Sequence, residues 1–157
     1  MDFDVLEVPG HTLDHIAYVH RGAQPAVFCG DTLSAGVAVA CLKGTPSMML
    51  RSLEALAALP PATRVYCAHE YTPGHLAFAR AVEPDNARLA ERITAAQATR
   101  QRGEPTVPSD IALELATNPF LRCNTPALQA SLRQQGKLPG DNPEAIFAAV
   151  RSWKDSF

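Results

Sequence analysis

The hydrophobic period of this 157-residue chain changes once, near residue 75, and does not change back. Before that point come short runs rich in Val, Ile, Phe and Tyr: FDVLEV (3–8), HIAYVH (15–20), AVFCG (26–30) and RVYCAH (64–69). Gly, Pro or Asp bounds each run, which is the pattern of short strands. One helix interrupts them. In TPSMMLRSLEALAALPP (45–61), Thr45 is the N-cap, Pro46 stands at the first helical position, and apolar residues recur at 49, 50, 53, 56 and 57 before Pro60-Pro61. After residue 75 only helical patterns follow. The spacing predicts a helix over 85–103 capped by Asp85 or Asn86 and stopped by Gly103, and another from Ser109 as N-cap to Pro119. Two more open on Thr125-Pro126 and Asn142-Pro143, each a cap followed by a proline at the first helical position. The chain therefore reads as α/β (α+β), a sheet unit over 1–74 followed by a small all-helical unit over 75–157, with no internal repeat.

Four strands and one helix make a thin layer, and HIAYVH and AVFCG are apolar enough to expect cover on both faces. The first unit reads as part of something larger. A hydrophobic content of 46% supports a real core, and a net charge of −2 offers no basic face for nucleic acid. The longest apolar run, AGVAVACL (35–42), is too short to span a bilayer, and the acidic start MDFDVLEV lacks the pattern of a secretion signal. Cys29, Cys41, Cys67 and Cys123 form no C-x-x-C pair, so they read as reduced thiols of a cytoplasmic protein.

Three polar residues stand just past strand ends: His11 after VLEVPG, Asp31 after AVFCG and His69 after RVYC. Strand ends in layered α/β folds are where loops converge over a rigid sheet, and two imidazoles with a carboxylate suit Zn²⁺ or Fe²⁺. The same residues could equally be satisfied turn residues, with Asp31 capping the segment after it. His15 and His20, at the ends of the second run, read as structural. His75 reads as the start of a helix facing solvent. Arg151 and Lys154, three apart on the last helix, are either a solvated helix end or a clamp for the carboxylates of an anionic ligand.

These residues lie in blocks that resemble one family. PGHT (9–12), FCGDTL (28–33), GTP (44–46), YCAHEYT (66–72), AVEPDN (81–86), GEPTVPS (103–109), ELATNPFLR (114–122) and AVRSWKDSF (149–157) resemble the hydroxyacylglutathione hydrolases, or glyoxalases II, in the family's own order. The first three blocks are shared across the metallo-β-lactamase fold; GEPTVPS, NPFLR and the closing R-x-x-K-D-x-F are narrower. The resemblance implies the C-terminal half of a metallo-β-lactamase αββα sandwich followed by a helical, substrate-binding domain. It also implies two divalent metals (zinc, or else iron or manganese), with His11 on one, His69 on the other and Asp31, the catalytic carboxylate, bridging both. A hydroxide held between them would attack the thioester carbonyl of S-lactoylglutathione, releasing glutathione and D-lactate in methylglyoxal detoxification. Tyr71, Arg151 and Lys154 match positions that hold the glutathione moiety, whereas His15 matches no ligand.

The chain also departs from the pattern. The T-H-x-H-x-D-H motif that carries four further ligands would lie before residue 1, so the ligand set of this chain is incomplete. Ala40 and Leu42 stand where the family has a basic and an aromatic residue against glutathione, and Asp14 and Ala68 where glycine is usual. The expectation is impaired hydrolysis by this chain alone, and either the missing N-terminal half or self-association as its partner. The alternatives are a non-catalytic glutathione-binding relative, or a mononuclear iron sulfur dioxygenase of the same fold.

Overall fold

The structure is a computed structural model that describes residues 1–38 and 43–157. The readings of Ala40, Cys41 and Leu42 lie outside the described residues. Among the described residues seven strands and six α-helices follow one another. Strands β1 (Asp4–Glu7), β2 (Ile16–His20) and β3 (Ala26–Gly30) come first, then a two-stranded hairpin, β4 (Leu33–Ser34) and β5 (Val37–Ala38). Helix α1 (Pro46–Ala57) leads to β6 (Arg64–Cys67). Helices α2 (Thr72–Val82) and α3 (Ala87–Gln101), the short β7 (Ser109–Asp110), α4 (Ile111–Thr117), a 3₁₀ turn over 119–121, α5 (Pro126–Gln134) and α6 (Pro143–Ser156) complete the order.

The main sheet has the order β1-β2-β3-β6-β7. β1 and β3 both run antiparallel to β2, and β6 runs parallel to β3, so β1, β3 and β6 point the same way. Their C-terminal ends therefore open onto one edge. The parallel β3–β6 pair needs a crossover, and α1 lies in it. Period-2 alternation sorts the strands: Ala17, Val19, Val27, Cys29 and Val65 are buried on the inner face. The main core runs from these through Leu53 and Leu56 of α1 to Phe78, Phe120, Phe147 and Val150 of the helical half, and a smaller cluster, Leu76, Ala79 and Leu89, joins α2 to α3.

The predicted helix ends hold where their chemistry is local. Thr45, Asn86, Thr125 and Asn142 each accept a backbone N–H as N-cap, and Pro46, Pro126 and Pro143 open their helices. The cap of α4 is a correction. Asp110, not Ser109, accepts from Leu113 N, because Ser109 is drawn into β7 against Val65 and its hydroxyl donates to Glu114. The helical half thus lends one strand to the sheet. The hairpin at 33–38, which overlaps only the start of the apolar run 35–42, was not predicted.

The outer face of the sheet is bare of helices. Phe3, Val5, Ile16, Tyr18 and Phe28 are 42, 60, 38, 48 and 42% exposed, and Phe28 stacks on Tyr66 across the strands at 4.8 Å. The cover expected on both faces is present on one only among the described residues. No helix among these residues is long and apolar enough to cross a membrane.

Candidate metal centre

His11, Asp31 and His69 follow β1, β3 and β6, and the common direction of those strands brings them to one edge. Each loop is held by backbone bonds. Behind His11, Ser52 Oγ of α1 donates to Pro9 O at 2.6 Å and Gly44 N to Gly10 O at 3.1 Å. A side chain at Gly10 would put Cβ 3.0 Å from Met49 Cα, and its φ of +151° also favours glycine. Ahead of Asp31, Gly30 turns with φ +54°, where an added Cβ would lie 2.6 Å from His15 Nε2. Ala68 N then donates to Gly30 O at 3.1 Å, tying the loop of His69 to that of Asp31.

The outcome is a carboxylate between two imidazoles. His11 Nε2 lies 3.7 Å from Asp31 Oδ2, and His69 Nε2 lies 3.7 Å from Asp31 Oδ1. Both gaps exceed hydrogen-bonding distance. Two donors on one tetrahedral ion, each bonded at about 2.0–2.2 Å, stand about 3.4 Å apart, so each gap has the size for a cation. Among the described residues no three His, Cys, Asp or Glu side chains converge on one point. This chain therefore offers one imidazole and one carboxylate oxygen at each of two positions, and the donor set fits a metal pair with further ligands from elsewhere. The His11 side chain is 16% exposed, Asp31 26% and His69 55%, so the centre is open on the His69 side.

The remaining predicted residues spread outward from there. Tyr71, 60% exposed, has its ring 5.5 Å from that of His69 and 5.9 Å from that of His75. Arg151 is buried rather than exposed at a helix end. Its Nε and Nη2 donate to Asp155 Oδ1 at 3.1 and 2.6 Å, its Nη1 donates to Ala38 O at 2.8 Å, and its guanidinium lies 5.1 Å from the Phe120 ring centre. Lys154 Nζ stands 5.5 Å from the Phe78 ring centre. Neither cation contacts the three strand-end residues. His15 hydrogen-bonds through Nε2 to Cys29 O at 3.2 Å, a structural position. A hollow of about 810 Å³ between α2 and α3, lined by Leu76, Arg80, Ile93 and Arg100, contains none of these residues.

His75 is a correction. It lies in the first turns of α2, half-buried, with Nδ1 bonded to Ala35 O at 3.3 Å. Burial holds its pKa below the ordinary value, and the nearby cations Lys154 and Arg151 push the same way. Burial also pushes the Cys29 and Cys123 thiols up to about 12, so both are inert core residues, and Cys29, Cys67 and Cys123 are free.

Sequence reasoning missed Glu114. It is fully buried and accepts from Gly36 N at 3.1 Å, Arg92 Nη2 at 2.6 Å, Ser109 Oγ at 2.7 Å and Asn118 Nδ2 at 2.9 Å. The available signal was its place at i+3 between Ile111 and Thr117, on the buried face of a short helix.

A five-stranded sheet with helices on one face and a polar cluster at its strand ends matches half of the αββα architecture of the metallo-β-lactamase fold. A metallo-β-lactamase from Staphylococcus aureus subsp. aureus COL superposes with a TM-score of 0.51 at 16% identity, over 97% of this chain and 38% of that one. ETHE1 from Myxococcus xanthus superposes with 0.50 at 24% identity, over 98% and 53%. Within that fold the family model described as "Hydroxyacylglutathione hydrolase C-terminus" matches residues 70–157, more than half of the chain, which belongs to that family. Hydroxyacylglutathione hydrolase of Pseudomonas aeruginosa (strain LESB58) is 51% identical over 155 residues, 99% of this chain and 60% of that protein. The hydroxyacylglutathione hydrolase of Alkalilimnicola ehrlichii is 55% identical over 151 residues, 96% and 58%. The chain thus spans about 60% of the length of these relatives.

Proposed function

We propose that this chain is the C-terminal part of a metal-dependent thioesterase that cleaves S-2-hydroxyacylglutathione, such as S-lactoylglutathione, to glutathione and a hydroxy acid. The observation that carries the reading is the Asp31 carboxylate with one imidazole against each oxygen, at 3.7 Å on both sides. Family membership and identity of about half over nearly the whole chain support the substrate class. The division into a partial metallo-β-lactamase unit, 1–74, and a substrate-binding helical unit, 75–157, belongs to the same proposal. So does a cytoplasmic location, which the free thiols suit.

In this reading His11, His69 and the Asp31 carboxylate between them would hold the cations. A pair of divalent cations, zinc or else iron or manganese, supplies Lewis acidity and lowers the pKa of a water towards ~7. The Asp31 carboxylate would offset part of the repulsion between two such cations. Tyr71, exposed beside His69, offers a ring face to the glutathione chain, and Lys154 offers a cation to its carboxylates, whereas Arg151 is already paired with Asp155 and Ala38. A mononuclear centre would need both imidazoles and the carboxylate to converge on one point. The imidazoles lie against different oxygens, which favours two positions.

The test joins residues 1–157 to the part of the P. aeruginosa relative that this chain does not span. The expected result is recovery of two equivalents of metal and of S-lactoylglutathione hydrolysis, with the chain alone near background. Full activity of residues 1–157 alone, or none in the fusion despite bound metal, would overturn the reading.

A further inference from the structure

Asp31 runs directly into the β4–β5 hairpin, and three helices grip that hairpin by single hydrogen bonds. Gly36 N donates to Glu114 Oε2 of α4 at 3.1 Å, His75 Nδ1 of α2 donates to Ala35 O at 3.3 Å, and Arg151 Nη1 of α6 donates to Ala38 O at 2.8 Å. At the other end of the same segment, Thr32 Oγ1 donates to Val8 O at 3.3 Å, on the stretch that leads to His11. Two of the three gripping side chains are themselves fixed. Glu114 is held by Arg92, Ser109 and Asn118, and Arg151 by Asp155 and the Phe120 ring. The Ala35 carbonyl can only accept, so His75 carries its proton on Nδ1.

We propose that Glu114, His75 and Arg151 are positioning residues for Asp31, so that the helical half sets where this carboxylate stands by a three-point hold on the hairpin that follows it. A ligand on a loop is useful only when held to within about 0.5 Å, and a two-residue-per-strand hairpin cannot supply that rigidity itself. The hold explains why a fully buried, four-fold hydrogen-bonded glutamate spends one bond on the backbone of a distant loop. It gives Arg151 a role that needs no substrate contact. The consequence for metal affinity rests on Asp31 being a ligand, as proposed above; the hold on the hairpin does not.

Glu114 substitutions leave Arg92 buried without its partner and endanger folding, so His75 is the position to test. In the full 157-residue chain, His75→Phe fills the space without a donor, while His75→Asn keeps an N–H close to where Nδ1 stands. Amide hydrogen exchange read by NMR is expected to quicken about three- to tenfold at Asp31, Thr32 and Gly36 in His75→Phe, with α5 amides unchanged, and to return towards the original rates in His75→Asn. Titration of the fusion described above with Zn²⁺ alone should show weaker binding by a similar factor when it carries His75→Phe, restored with His75→Asn. The proposal is overturned if exchange at 31–36 is unchanged in His75→Phe, if it quickens equally throughout the chain, or if His75→Asn behaves like His75→Phe. Should the unsubstituted fusion bind no Zn²⁺, the ligand reading of Asp31 falls, and the exchange comparison still decides the hold.

Discussion

Two carboxylates flank one hairpin and live in opposite surroundings. Glu114 is fully buried, and four protein donors satisfy it, one of them the guanidinium of Arg92 at 2.6 Å. Asp31 keeps 26% of its side chain exposed and faces two imidazoles at 3.7 Å, with no protein N–H or O–H in hydrogen-bonding distance among the described residues. The first is a finished network, whose worth lies in the cost of breaking it. The second is an open cluster, with one imidazole nitrogen 3.7 Å from each carboxylate oxygen. The two carboxylates thus differ in burial and in the number of protein hydrogen bonds they accept, which fits a structural role for Glu114 and agrees with the proposed role of Asp31.

Substitution should separate the two. Glu114→Gln is expected to cost about 3–5 kcal/mol by leaving the Arg92 charge buried without a carboxylate, read as a lower midpoint in urea unfolding or as failure to fold. A cost under about 1 kcal/mol would show that the network is not closed. Asp31→Ala should change stability by less than about 0.5 kcal/mol, yet lower hydrolysis by the metal-loaded fusion at least ~100-fold. Equal effects of the two substitutions on the unfolding midpoint would erase the distinction.

The bare outer face should report next. Its five large apolar side chains make an exposed patch, so residues 1–157 alone are expected to self-associate, and Tyr18→Lys with Phe28→Lys should shift sedimentation towards monomer. A monomeric unsubstituted chain would contradict this. In the fusion, Lys154→Ala should raise KM about tenfold with kcat little changed, because a cation at the far end of the substrate contributes equally to ground and transition states.

The smallest effect is one of pH. The folded pKa of His75 is depressed, first by burial, so its contribution to stability is complete above the ordinary value of 6.5 and lost as pH falls through that value towards the folded one. Acid should therefore destabilise the chain more than it destabilises His75→Asn, measured as the difference in Tm between pH 7.5 and pH 5. Identical Tm differences would remove His75 from the pH dependence.

Local chemistry was legible from the sequence alone. The caps at Thr45, Asn86, Thr125 and Asn142 and the prolines after three of them were readable because a cap involves only residues within three positions. The strand cores and the strand-end places of His11, Asp31 and His69 were readable for the same reason, since alternation and turn residues are near-neighbour signals. Tertiary structure decided everything that depends on partners far along the chain. Ser109 left its expected cap because Val65 and Glu114 claim it, and His75 turned inward because Ala35 lies there to accept its proton. Arg151 became buried against Ala38, 113 positions away. The direction of β1, β3 and β6, which alone puts the two imidazoles on either side of one carboxylate, is likewise a property of the sheet. A run of residues encodes its own period, but which end of which strand meets another is settled only when the core closes.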